Sequence, residues 1–115
     1  MQPRMTEQAY LVLLALADGP RHGYGIVQEV RGLSDGAVRL GAGTLYGVLD
    51  RLVAAGQVVP DREEVVDGRL RRYYRITEEG SAAAVAETER LAALARRART
   101  ALRATSARPA LGGAR

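Results

Sequence analysis

The order of apolar and polar residues divides this chain into stretches with helical spacing and one stretch with strand spacing. Helical spacing is clearest in Gly41–Gly56, GAGTLYGVLDRLVAAG, where Leu45, Val48, Leu49, Leu52 and Val53 recur at i, i+3, i+4, i+7 and i+8. That pattern predicts an amphipathic helix, with Gly56 placed to stop it as a C′ glycine. Ahead of it, Ala9–Ala17 is apolar almost all round and predicts a first helix with both faces buried. Thr6 is its expected N-cap, Glu7 sits in the favourable first turn, and Asp18-Gly19-Pro20 ends it. His22–Leu33 predicts a second helix with Ile26, Val27, Val30 and Leu33 on one side. Gly23 and Gly25 near its start weaken it, so each needs a packing or contact reason. Ser34-Asp35-Gly36 is a turn, and Ala37–Leu40 leads into the third helix. Helices two and three, joined through that turn and braced by helix one, make a tri-helical helix-turn-helix arrangement.

After Gly56 the period becomes two. Val58–Val66 and Arg69–Ile76 are strand candidates, and Asp67-Gly68 between them is a type I′ hairpin signal. Pairing Val66 with Arg69 sets Val65 against Leu70, Glu64 against Arg71 and Glu63 against Arg72. The same register sets Asp61 against Tyr74 and Val59 against Ile76. Pro60 lacks a ladder donor and puts its strand at an edge. Of the adjacent tyrosines, Tyr74 is expected to face the core and Tyr73 to be the more exposed. Thr77 then caps a long helix whose seam of Ser81, Ala84, Thr88, Leu91, Ala95, Ala98 and Leu102 has alternating three and four spacing. The fold class is therefore mainly α with a small β-hairpin: a winged helix-turn-helix plus a long C-terminal dimerisation helix. The expected divisions are 6–77 for the winged domain, 78–104 for the dimerisation helix and 105–115 for a disordered Pro/Gly-containing tail.

Composition narrows the function. The 115 residues contain no Phe, Trp or Cys, so the core is thin and a partner subunit is a natural place to complete it. Without cysteine there is no disulfide, thiol nucleophile or zinc finger, which fits a reducing cytoplasm. No export signal and no apolar run long enough to span a bilayer are evident, so no membrane association is expected. One His, no phosphate-binding glycine loop and no clustered carboxylates argue against an enzyme and call for no cofactor and no metal. The net charge is +4 and every base is Arg. Residues 1–56 hold five Arg and five acids, 57–77 five and four, and 78–115 seven and four. Charge therefore supports nucleic-acid binding only weakly, since most of the excess lies outside the helix best suited to it.

That helix, Gly41–Gly56, turns Gly43, Gly47 and Ala54 away from its apolar stripe, flanked by the hydroxyls of Thr44 and Tyr46. Small residues allow close backbone approach, and hydroxyls bond phosphates or base edges. Read as a recognition helix, it offers Gly43, Thr44 and Tyr46 to DNA and Arg51 to a phosphate. The alternative is an ordinary surface helix. On the wing, Arg69, Arg71 and Arg72 are candidates for a minor groove or its phosphates; Arg71 and Arg72 could instead only pair with Glu64 and Glu63. His22 is either a helix-start hydrogen bonder near Tyr24 or, with Tyr24, a further DNA contact.

Three motifs in this order, HGYGI at His22–Ile26, GTLYGVLDRL at Gly43–Leu52 and GRLRRYYRITEEG at Gly68–Gly80, resemble the PadR family of bacterial winged-helix regulators across roughly residues 6–104. Gly47 departs from the Pro common in that family after the Leu-Tyr pair. Asp50 puts an acid on the exposed side of the recognition helix. The single C-terminal helix resembles the smaller subclass. The resemblance implies a homodimeric transcriptional repressor on a pseudo-palindromic double-stranded operator, released by a small-molecule effector. In some relatives flat aromatic compounds stack on a tryptophan between subunits, a mode this Trp-free chain excludes. An effector pocket between the first and last helices would be lined by Tyr10, Leu13, Leu14, Leu91 and Leu94. A winged-helix protein-interaction module without specific DNA binding is the competing reading, favoured by Asp50 and the four acids of the hairpin segment.

Overall fold

The computed structural model describes residues 4–107. Seven elements follow in order: α1 (Glu7–Ala15), β1 (Arg21–His22), α2 (Gly23–Leu33), α3 (Ala42–Ala54), β2 (Val58–Val66), β3 (Arg69–Ile76) and α4 (Glu78–Ala107). Two compact units divide between Val85 and Ala86, so the first turns of α4 belong with the winged unit.

Local chemistry sets the helix ends. The Thr6 Oγ1 accepts from the Ala9 N–H at 3.0 Å, so Thr6 is the N-cap as expected and α1 starts at Glu7. It closes at Ala15, where the Arg21 Nε donates to the Ala15 carbonyl at 2.7 Å. The same guanidinium pairs with Asp18 and Glu29, at 3.3 and 3.4 Å, and so ties the end of α1 to α2. After α3, Gly56 takes φ +76, the left-handed conformation that only glycine adopts cheaply. Thr77 Oγ1 donates to the Gly56 carbonyl at 2.7 Å and accepts from the Gly80 N–H at 3.0 Å. One hydroxyl thus joins the end of α3 to the start of α4.

The core is aliphatic: Val12, Leu13 and Leu16 from the α1 region, Ile26 and Val30 from α2, Leu45, Val48, Leu49 and Leu52 from α3, and Val58 at the base of β2. Tyr74 and Ile76 pack on it from β3, and Ala84 of α4 is buried with it. Gly80 makes the approach of α4 possible. A Cβ there would collide with the Gln57 carbonyl oxygen and lie 2.9 Å from the Ile76 Cγ1. Backbone cannot yield as a side-chain tip can, so this position tolerates glycine alone.

The sheet has three strands in the order β1-β3-β2, not two. Arg21 and His22 pair with Tyr74 and Tyr73 on the free side of β3. At the hairpin tip the register is the expected one, Val66 with Arg69 through Glu63 with Arg72, and Asp67 and Gly68 both have positive φ as a type I′ turn requires. Nearer the base it is not. Val58, rather than Val59, faces Ile76, and Pro60, rather than Asp61, faces Tyr74. A β-bulge absorbs the difference, setting Asp61 and Arg62 together against Tyr73. It bends the edge strand next to the proline that already cannot donate.

α4 is helical through Ala107, so residues 105–107 are not part of a tail. The tail expected for the remainder lies outside the described residues.

Candidate nucleic-acid interface

On α3 Leu45, Val48, Leu49 and Leu52 of the apolar stripe are buried in the core, whereas Val53, its last member, is exposed together with Gly43, Thr44, Tyr46, Asp50, Arg51 and Ala54. A Cβ added to Gly43 or Gly47 would meet no atom within 4 Å. The glycines therefore answer no demand of the fold; they leave helix backbone bare on the outer face. The N-cap residue is Gly41, which supplies no side-chain cap, so the first-turn N–H groups of α3 point outward uncovered. Such a terminus favours a phosphate.

A cleft of about 410 Å³ opens between the start of α2, the first turns of α3 and β3. His22, Gly23, Tyr24, Tyr46, Arg69, Leu70, Arg71 and Arg72 line it. Six of the residues expected to face DNA thus come together, from three separate stretches of sequence. Gly43, Thr44 and Arg51 stand on the exposed surface of α3 outside that cleft. The packing reason for Gly23 lies here: a Cβ on it would lie 2.6 Å from the Tyr46 hydroxyl oxygen, so the missing side chain is what lets Tyr46 lie over the start of α2. The Tyr24 hydroxyl accepts from the Gln28 Nε2 at 2.8 Å, which holds the exposed ring one turn above.

Charges on the wing are unequal in availability. Arg72 pairs with Glu63 at 3.1 Å and Arg75 with Asp61 at 3.3 Å. Among the described residues Arg69 and Arg71 make no ion pair; the expected partner of Arg71, Glu64, instead accepts from the Tyr73 hydroxyl at 2.7 Å. Two guanidinium groups are thus left for an external anion.

Tyr74 packs on the core as expected, and Tyr73, half-buried like it, is covered from the other side. Its ring stacks on His22, with centroids 5.3 Å apart and planes 12° from parallel, and Arg62 sits 4.0 Å from its centroid. His22 caps α2, its Nδ1 accepting from the Gly25 N–H at 3.2 Å. Gly25 is small for this reason, since a Cβ would lie 3.0 Å from that nitrogen. Accepting through Nδ1 fixes the neutral tautomer and leaves Nε2–H as the donor. Burial and the Arg71 charge hold the imidazole below its ordinary pKa, against a smaller opposite pull from Glu64.

These observations meet the comparisons with known proteins. Residues 12–86 match the transcriptional regulator PadR-like family. The chain belongs to the PadR family. It is 44% identical over 85 residues to the transcriptional regulator Rv3488 of Mycobacterium tuberculosis, covering 74% of this chain and 76% of that protein. A PadR family regulator from hypervirulent Clostridium difficile superposes with a TM-score of 0.72 at 21% identity, over 84% of this chain and 99% of that one. Bacillus subtilis PadR in complex with operator DNA superposes with a TM-score of 0.61 at 18% identity, over 70% of this chain and 46% of that one. PadR proteins are transcriptional regulators, not enzymes, and the mainly helical fold with a small antiparallel sheet is theirs.

The residues expected around an effector fare differently in this PadR chain. Leu13 is a correction: it is fully buried in the core of the winged unit, leaving no surface for a ligand. Tyr10 and Leu14 are half-buried on α1. In the second unit Leu91 is half-buried and Leu94 is exposed. Among the described residues no group of His, Asp or Glu is placed to hold a metal ion, and no helix is long and apolar enough to cross a membrane.

Proposed function

We propose that this PadR regulator acts as a homodimeric, sequence-specific repressor in the cytoplasm, on a pseudo-palindromic operator. The observation that carries the reading is the shared cleft: Tyr24, Tyr46 and two unpaired wing arginines face one space beside a recognition helix with bare backbone. In a dimer two such helices would enter successive major grooves about 34 Å apart. Thr44 and Tyr46 would contact bases or backbone, Arg51 a phosphate, and Arg69 and Arg71 the flanking phosphates or minor groove. The neighbour solved with operator DNA supports this mode of action. The second unit, with Leu94 and Leu102 exposed, supports dimerisation through α4. Release by a small-molecule effector follows the family resemblance and, without tryptophan, would have to proceed without indole stacking.

Asp50, exposed on α3, favours the second reading, a protein-interaction module that has lost specific DNA binding. An anisotropy titration onto the promoter of the protein's own gene, beside a scrambled duplex at two salt concentrations, separates the two. The repressor reading expects about a hundredfold preference or more for the promoter, within the usual range of specific over non-specific affinity. Equal, weak binding to both duplexes would favour the protein-interaction module.

A further inference from the structure

The positive charge of this chain is not where its DNA-binding fold is. Residues 1–89 hold ten Arg against thirteen acids, whereas residues 90–115 hold seven Arg and no acid at all. The net +4 is thus +7 at the C-terminal end beside −3 over everything before it. The wing offers two free guanidiniums, but the winged unit that carries it, with ten Arg against eleven acids over residues 1–85, has no net attraction for a polyanion.

The second half of α4 has that attraction. Arg96, Arg97, Arg99 and Arg103 are all exposed, and among the described residues none of them makes an ion pair. At 100° per residue, Arg96, Arg99 and Arg103 fall within one narrow stripe, and Arg97 widens it on the side away from Leu91, Ala95 and Leu102. Covering Leu91, Ala95 and Leu102 would leave Arg96, Arg97 and Arg103 in solvent, with Arg99 at the rim of the covered side. Between Arg90 and Ala107 there is no acid to neutralise them. Arginine presents planar forked donors suited to phosphate oxygens, and four on two turns suit a line of phosphates with no sequence requirement.

We propose that the C-terminal half of α4 is a second, sequence-independent binding surface for the phosphates of duplex DNA, separate from the α3–wing cleft. It rests on the DNA-binding reading of the protein. Its role is to hold a second segment of duplex beyond the operator, by an electrostatic attraction that the near-neutral winged unit does not exert.

The test uses full-length protein already saturated with unlabelled promoter duplex and titrated with a labelled duplex of unrelated sequence. The wild type should capture the second duplex with steep salt dependence. The variant R96Q/R97Q/R99Q/R103Q should capture it about tenfold or more weakly, its log–log salt slope shallower by about 0.9 for each phosphate it no longer neutralises. Its affinity for the promoter duplex should be unchanged, and the four Arg→Lys replacements should retain capture. Where the quadruple variant perturbs α4, judged by circular dichroism and sedimentation, R96Q/R103Q reads the same effect at about half the slope change. Equal capture by wild type and variants would overturn the proposal. So would failure of both proteins to capture duplex while an acidic polypeptide binds the wild type alone. Should the promoter itself show no preference over a scrambled duplex, the repressor reading fails, while the difference between wild type and variant still decides the role of the α4 arginines.

Discussion

α3 and the wing meet at the cleft through Tyr46, and their outer surfaces offer contact by opposite means. α3 brings almost no charge, one Asp and one Arg on its exposed side, but it brings bare backbone at Gly43 and Gly47 and the hydroxyls of Thr44 and Tyr46. β3 brings four arginines between residues 69 and 75, two of them held by Glu63 and Asp61 and two free. A surface of close backbone and hydroxyls depends on shape and on donor positions, which vary with base sequence. A surface of guanidiniums depends on phosphate, which does not vary. Under the proposed function the difference implies a division of labour, in which α3 would supply discrimination and the wing affinity.

The sharpest break in that division is Gly47→Leu. A Cβ added there meets no atom within 4 Å, and replacing a helix-interior glycine should stabilise the fold by about 0.5–1 kcal/mol. Promoter affinity should nonetheless fall by about a hundredfold, the scale expected when close approach to several bases is blocked. Urea unfolding and anisotropy would move in opposite directions. A variant that loses both stability and binding would mean the glycine serves the fold.

Gly23→Ala should have the next largest effect. The methyl would push Tyr46 from its place over α2, at about 1–3 kcal/mol where the ring cannot swing clear. Sequence preference should change with it, read as altered ranking in a panel of single-base operator variants. A change in stability alone would put Tyr46 outside the readout.

Asp50→Asn removes the one exposed acid of α3. Binding to promoter and scrambled duplex should rise together by a few-fold, about what one repulsive charge near the phosphates is worth at moderate salt. A rise for the promoter alone would make Asp50 a base-reading residue.

The smallest effect is that of pH on the His22 cap. The folded imidazole titrates below its ordinary 6.5, so as pH falls through 6.5 the unfolded chain takes up a proton that the folded chain refuses. The cap's contribution is therefore whole above that pH and declines below it. The urea midpoint should drop between pH 7.5 and 5.5, and His22→Asn, which can still cap, should flatten that part of the dependence.

Much of this division is legible in the residues alone. Asp67-Gly68 fixes the hairpin tip because a type I′ turn admits few residue pairs, and the spacing from Leu45 to Val53 fixes which side of α3 faces out. The illegible parts share a cause: they depend on what lies opposite. β1 has two residues, too few for any period to register. The bulge at Asp61 and Arg62 has no local signature beyond the neighbouring proline, so simple alternation misplaces the register by one toward the base. Alternation also sets Tyr73 on the outer face, yet β1 brings His22 against it there. Gly80 is required by a carbonyl more than twenty residues earlier, and Gln28 and Glu64 matter only through the tyrosines they hold. Leu13 is unavailable to a ligand for the same reason, because the core claims it first.

The most direct test of the division measures two quantities on Arg69→Ala and Thr44→Ala together: preference for the promoter over a scrambled duplex, and the slope of log affinity against log salt. The account predicts that Arg69→Ala keeps its preference while its slope becomes shallower by about 0.9 per protomer. Thr44→Ala should keep the slope and lose preference, by the roughly 1–3 kcal/mol that one base pairing contributes. Loss of preference in Arg69→Ala with an unchanged salt slope would contradict it, and would give the reading of sequence to the wing.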